Sequence, residues 1–161
     1  MGTHAFNSGR HYWEVTLDMF YSPNDIFLGI CKSQNPEQSF ARMQGVYGWI
    51  CTESRKYWCP YQGNGEVAPY GDNASHGDVI GLLLSFNEKT GSASITYYKN
   101  GQNWGICYDN NIPPASYYPI LSMMCYERQG HECISTLNTK AKCPQSEAFS
   151  GARLLRMEEE E

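Results

Sequence analysis

The side chains with the most chemical potential here are seven cysteines, at 31, 51, 59, 107, 125, 133 and 143, together with His131. Cys125, His131, Cys133 and Cys143 supply four soft ligands on paper, the number a tetrahedral zinc site uses. Structural zinc sites draw ligands as close pairs on tight turns, however, and the sequence contains no Cys-x-x-Cys. His131 and Cys133 stand two residues apart, a spacing that strand geometry alone explains. A thiol nucleophile needs a histidine in reach and a third group to orient it, and none of the cysteines sits in a recognisable elbow. Gly-x-Ser-x-Gly, a phosphate loop and His-Glu-x-x-His are all absent. Glu14 and Asp78 fall at strand positions and read as structural or surface carboxylates. We therefore expect no catalysis, no cofactor and no metal.

Charge narrows the partners. The chain of 161 residues carries 12 basic and 17 acidic groups, a formal charge of −5. The terminal run Glu158–Glu161 accounts for nearly all of that excess. No cluster of Lys and Arg exists to track a phosphate backbone, so nucleic acid is not an expected partner. No apolar run approaches the roughly 20 residues that cross a bilayer, so no membrane partner is expected either. The cysteine count is odd and no secretory leader is read at the N-terminus. We take the cysteines as reduced thiols in an intracellular protein, cytoplasmic or nuclear.

The elements that must position any site are strands. Twelve Tyr, four Trp, six Phe and fifteen Gly favour strands joined by tight turns. From His11 to Met19, Trp13, Val15, Leu17 and Met19 alternate with Tyr12, Glu14, Thr16 and Asp18, the period of a strand with one buried face. Further strands are read at 25–31, 46–51, 57–61, 78–86, 94–98, 104–108, 117–124 and 132–137, with loops at 33–45 and 64–77. Asn100-Gly101 is the strongest hairpin signal. Eight or nine short strands predict an all-β, bent antiparallel sandwich over residues 1–145. Residues 146–161 form an acidic tail, helical or disordered.

Three segments, in order, resemble the SPRY family: Gly9-Arg10-His11-Tyr12-Trp13-Glu14-Val15, Gly77-Asp78-Val79-Ile80-Gly81 with Tyr98-Lys99-Asn100-Gly101, and Tyr118-Pro119-Ile120-Leu121-Ser122. The resemblance spans about residues 5–138. It implies a SPRY-like, concanavalin-like jelly roll of two antiparallel sheets, used to bind proteins or linear peptides through loops at one end. It also implies that such a domain recruits substrates for a ubiquitin ligase or serves a larger scaffold.

Carried onto this chain, the family's binding loops correspond to Phe40 and Met43 before the Tyr47-Gly48-Trp49 strand, and to Met124, Cys125 and Tyr126 after Ser122. Methionine adapts to irregular surfaces, and tyrosine offers area with a polar tip. The alternative for Phe40 and Met43 is that they pin a long loop to the body. Tyr57, Trp58 and Tyr61 follow a charged stretch and form a possible additional surface. Trp13, Trp49 and Trp104 read as core. The expected partner is a protein or linear peptide, met by a monomeric domain. The alternatives are a lectin-like module stacking sugars on Tyr57, Trp58 and Tyr61, and a structural domain of a larger assembly.

Overall fold

The computed structural model describes residues 4–20, 26–32, 43–61, 65–123 and 133–144. Ten strands fill these segments: β1 (Arg10–Met19), β2 (Ile26–Cys31), β3 (Val46–Ile50), β4 (Arg55–Cys59), β5 (Glu66–Pro69), β6 (Val79–Phe86), β7 (Ala93–Lys99), β8 (Gln102–Ile112), β9 (Tyr118–Met123) and β10 (Ile134–Asn138). They form two five-stranded sheets, ordered β10-β1-β6-β7-β8 and β5-β4-β3-β2-β9, with every pairing antiparallel. The expected sandwich is the observed one.

The alternation in β1 does what its period requires: Trp13, Val15 and Leu17 point inward and are buried. They meet Leu82 and Leu84 of β6, Ile95 and Tyr97 of β7, and Leu28, Ile30 and Trp49 of the opposite sheet in one core. Three polar tips cross between the sheets. Tyr97 donates its hydroxyl proton to the Leu28 carbonyl at 2.5 Å. The Tyr108 hydroxyl lies 2.8 Å from the Tyr57 carbonyl and 3.0 Å from that of Gly48. Lys56 Nζ donates to the Cys107 carbonyl at 2.9 Å. Tyr97 and Tyr108 can be buried in this core because their hydroxyls find main-chain acceptors across the gap.

Asn100 and Gly101 both have positive φ, 52° and 79°, as the expected type I′ turn demands. The Asn100 amide donates to Asp78 at 3.0 Å, and the Val79 amide donates to Asn100 Oδ1 at 2.9 Å. Burial alone would raise the Asp78 pKa. Donors from Asn100, the Ser75 amide and Lys99 outweigh it and hold the carboxyl below its ordinary value. Asp78 is thus a structural carboxylate that ties the β7–β8 hairpin to the start of β6.

Sheet β5-β4-β3-β2-β9 is buried on its outer face as well. Phe27, Cys31, Val46, Ile50, Tyr57, Cys59 and Ile120 form a second apolar cluster there, joined by Met43. Its centre is the pair Gly29↔Gly48 of β2 and β3. A Cβ on Gly48 would fall 2.4 Å from the Phe27 ring, and one on Gly29 only 2.2 Å from the Tyr47 carbonyl oxygen. Glycine is required here by proximity, not by an unusual φ.

Two readings change. The stretch 64–77, taken as loop, contains β5, an edge strand beginning at Glu66 that accommodates Pro69 at its last position. The reading of seven reduced thiols fails at Cys133, which is disulfide-bonded. Cys31, Cys51, Cys59, Cys107 and Cys143 remain thiols. The tail 146–161 lies outside the described residues.

Burial pushes Cys51 and Cys107 from an ordinary value of 9.0 up to about 12, in Cys107 against the pull of Lys56. The folded state keeps these thiols protonated while the unfolded chain releases them near pH 9. Their contribution to stability is therefore complete below pH 9 and is lost as pH climbs toward 12. The urea midpoint is expected to fall between pH 9 and 11, less steeply in Cys51→Ala; a flat midpoint would contradict the burial.

Candidate functional site

Among the described residues, hollows open on opposite flanks of the sandwich. The larger, about 700 Å³, lies among β1, β9 and β10, with walls from Phe6, Trp13, Val15, Leu28, Leu121 and Leu137. The smaller, about 290 Å³, lies between β4 and β8. It is lined by Tyr47, Lys56, Trp58, Pro60, Tyr61, Tyr108, Asn111 and Pro113. The second is the candidate binding groove, because Tyr61, 78% exposed, stands there beside Trp58 on a rigid scaffold of strands.

Strand alternation builds it. Lys56 and Trp58 lie on the inward face of β4, opposite Trp49 and Tyr47 of β3. Tyr47 and Tyr108 are buried and form the floor, their rings packed edge-on at 5.7 Å. Burial raises both hydroxyl pKa values, and both phenols stay neutral at physiological pH. Trp58, half-buried, packs edge-on against Tyr108 at 6.5 Å. Lys56 Nζ sits 5.1 Å from the Tyr108 ring centroid and 5.7 Å from that of Trp58. Tyr61 forms the rim and is 78% exposed, its carbonyl accepting from the Cys59 thiol at 2.9 Å.

The residues expected at a site fall in three places. Trp58 and Tyr61 are brought together at this groove. Tyr57, expected beside them, points the other way into the outer-face cluster, in T-shaped contact with Phe27 at 6.2 Å. Met43, expected at a loop rim, is 3% exposed and belongs to that same cluster. Both are corrected to core residues, and the pinning role weighed for Met43 fits where it sits. Phe40, Met124, Cys125 and Tyr126 lie outside the described residues. The strand ends leading into their loops stand far apart, since Cys31 opposes Tyr118 while Ile26 opposes Met123. Those ends of β2 are roughly 17 Å from each other.

Sequence reading missed Lys56, Tyr108 and Pro113 as groove residues. Among the described residues no three His, Cys, Asp or Glu side chains are grouped to hold a metal.

The model of the SPRY domain matches residues 10–138. The chain belongs to the SPRY family. Its relatives include the dual specificity protein kinase splA of Dictyostelium discoideum, 30% identical over 110 residues. That match takes in 67% of this chain and 4% of the kinase, so the chain corresponds to a small part of that protein. Among solved structures, the SPRY domain of human HERC1 superposes with a TM-score of 0.61 at 14% identity, covering 87% of this chain and 80% of that one. A second human SPRY domain gives 0.58 at 16% identity, covering 88% and 89%. SPRY domains are in general protein-interaction modules. The groove is therefore a candidate contact surface.

Proposed function

We propose that this SPRY domain captures an extended segment of a partner protein in the groove between β4 and β8. The observation that carries the reading is Tyr61, 78% exposed beside Trp58 and above a buried floor of Tyr47 and Tyr108. Rigid aromatic side chains give large contact area for little lost rotamer freedom, which is why such residues dominate binding energy at interfaces.

Replacing Tyr61 and Trp58 by alanine is expected to weaken partner capture by the 161-residue chain more than about tenfold. Tyr61→Ala should leave the melting temperature unchanged, because its ring is outside the core. Undiminished capture by a folded double variant would rule out the groove. The family-based loop set Phe40, Met124, Cys125 and Tyr126 is a separate proposed surface, and a Met124→Ala, Tyr126→Ala pair tests it in the same assay. What the capture serves, delivery to a ubiquitin ligase or assembly of a scaffold, is read from ubiquitylation of the captured protein. A glycan array tests the lectin alternative, whose platform is reduced to Trp58 and Tyr61 by the burial of Tyr57.

A further inference from the structure

We infer that the segment taken by this groove is acidic, with a carboxylate that pairs with Lys56. The inference rests on the groove reading above and names the chemistry of its occupant.

Lys56 is unusual in its direction. It projects from the inner face of β4 between the two sheets, where neighbouring positions carry Trp49, Trp58 and Tyr108. Its ammonium has three donors, and a single carbonyl, that of Cys107, accepts one. Two ring faces supply weak attraction for the charge. Arg55 pairs with Glu53, and Lys99 lies 3.5 Å from Asp78, but Lys56 has no carboxylate partner among the described residues. The groove lining likewise holds one cation and no anion. A half-buried cation with unspent donors, facing an opening about 290 Å³ in size, is complementary to a carboxylate. Trp58, Tyr61, Pro60 and Pro113 surround that position with flat apolar surface. The best-fitting segment therefore places Asp or Glu beside a proline or an aromatic residue. A carboxylate entering here leaves water, so its pairing with Lys56 is screened less than a surface ion pair.

The test pans a random peptide library against the 161-residue chain and resynthesises the enriched peptides. Enriched sequences are expected to carry Asp or Glu next to Pro or an aromatic residue. Changing that acid to its amide should weaken binding about tenfold, and Lys56→Met should weaken the acidic peptide similarly while leaving the amide peptide unaffected. Lys56→Arg should restore most of the affinity. The amide peptides probe the same contact on the unaltered protein, so the result does not depend on how well Lys56→Met folds. Peptides that require Tyr61 but are indifferent to Lys56→Met and to the amide change overturn the acidic partner and keep the groove. Peptides indifferent to Tyr61→Ala, or no enrichment, overturn the groove and this inference together.

Discussion

Trp49→Ala is expected to remove about 3–5 kcal/mol of folding stability. Trp49 is fully buried at the centre of sheet β5-β4-β3-β2-β9. Its ring packs against Tyr97 at 5.3 Å, Trp104 at 5.7 Å and Tyr70 at 5.8 Å, so one indole joins β3 to β7, to β8 and to the segment after β5. Truncation leaves a cavity between two sheets whose strands are held apart by their other contacts, and little can collapse into it. With a total stability on the order of 5–15 kcal/mol, the variant should melt roughly 6–20 °C lower. A thermal scan with near-UV circular dichroism checks this; a shift under about 3 °C would mean that the aromatic cluster is not the centre of the fold.

Gly29→Ala is expected to be at least as damaging, by the opposite mechanism. The added methyl would meet the Tyr47 carbonyl oxygen at 2.2 Å and the Gly48 Cα at 2.7 Å. Those are backbone atoms of a paired strand, and no rotamer change relieves them. Overpacking of side chains commonly costs about 1–3 kcal/mol, and a clash with main chain should exceed that range. The strand pair would have to separate locally, loosening the Tyr47 and Trp49 positions on β3 and with them the groove floor. Expression with a collapsed urea midpoint, or failure to fold, is the expected outcome. A variant as stable as the parent would show that β2 and β3 do not approach so closely.

Much of the fold was legible because its signals are local. Period-two alternation from His11 to Met19 fixed which face of β1 is inward, and Asn100-Gly101 announced a hairpin whose φ values follow from those two residue types. What was not legible depended on layers. Tyr57 points away from the core of the sandwich, and alternation alone reads that direction as solvent; only the second apolar cluster shows that this face is covered too. Met43 misled for the same reason. Lys56 was passed over as part of the charged stretch between two strands, whereas it lies within β4, whose pairing with β3 turns it inward beside Trp49. β5 was hidden by Pro69, which a terminal strand accommodates. The groove joins residues from the β3–β4 region with Tyr108, Asn111 and Pro113, some fifty positions later in the chain, a juxtaposition that spacing along the sequence cannot encode.

The strand order has an architectural corollary. β1 and β10, the first and last strands, are neighbours at one border of their sheet, while β8, which walls the groove, forms the other border three strands from β1. Pairing the first strand with the last ties the two ends of the fold together, so a truncation that removes either one opens the same border of the sheet.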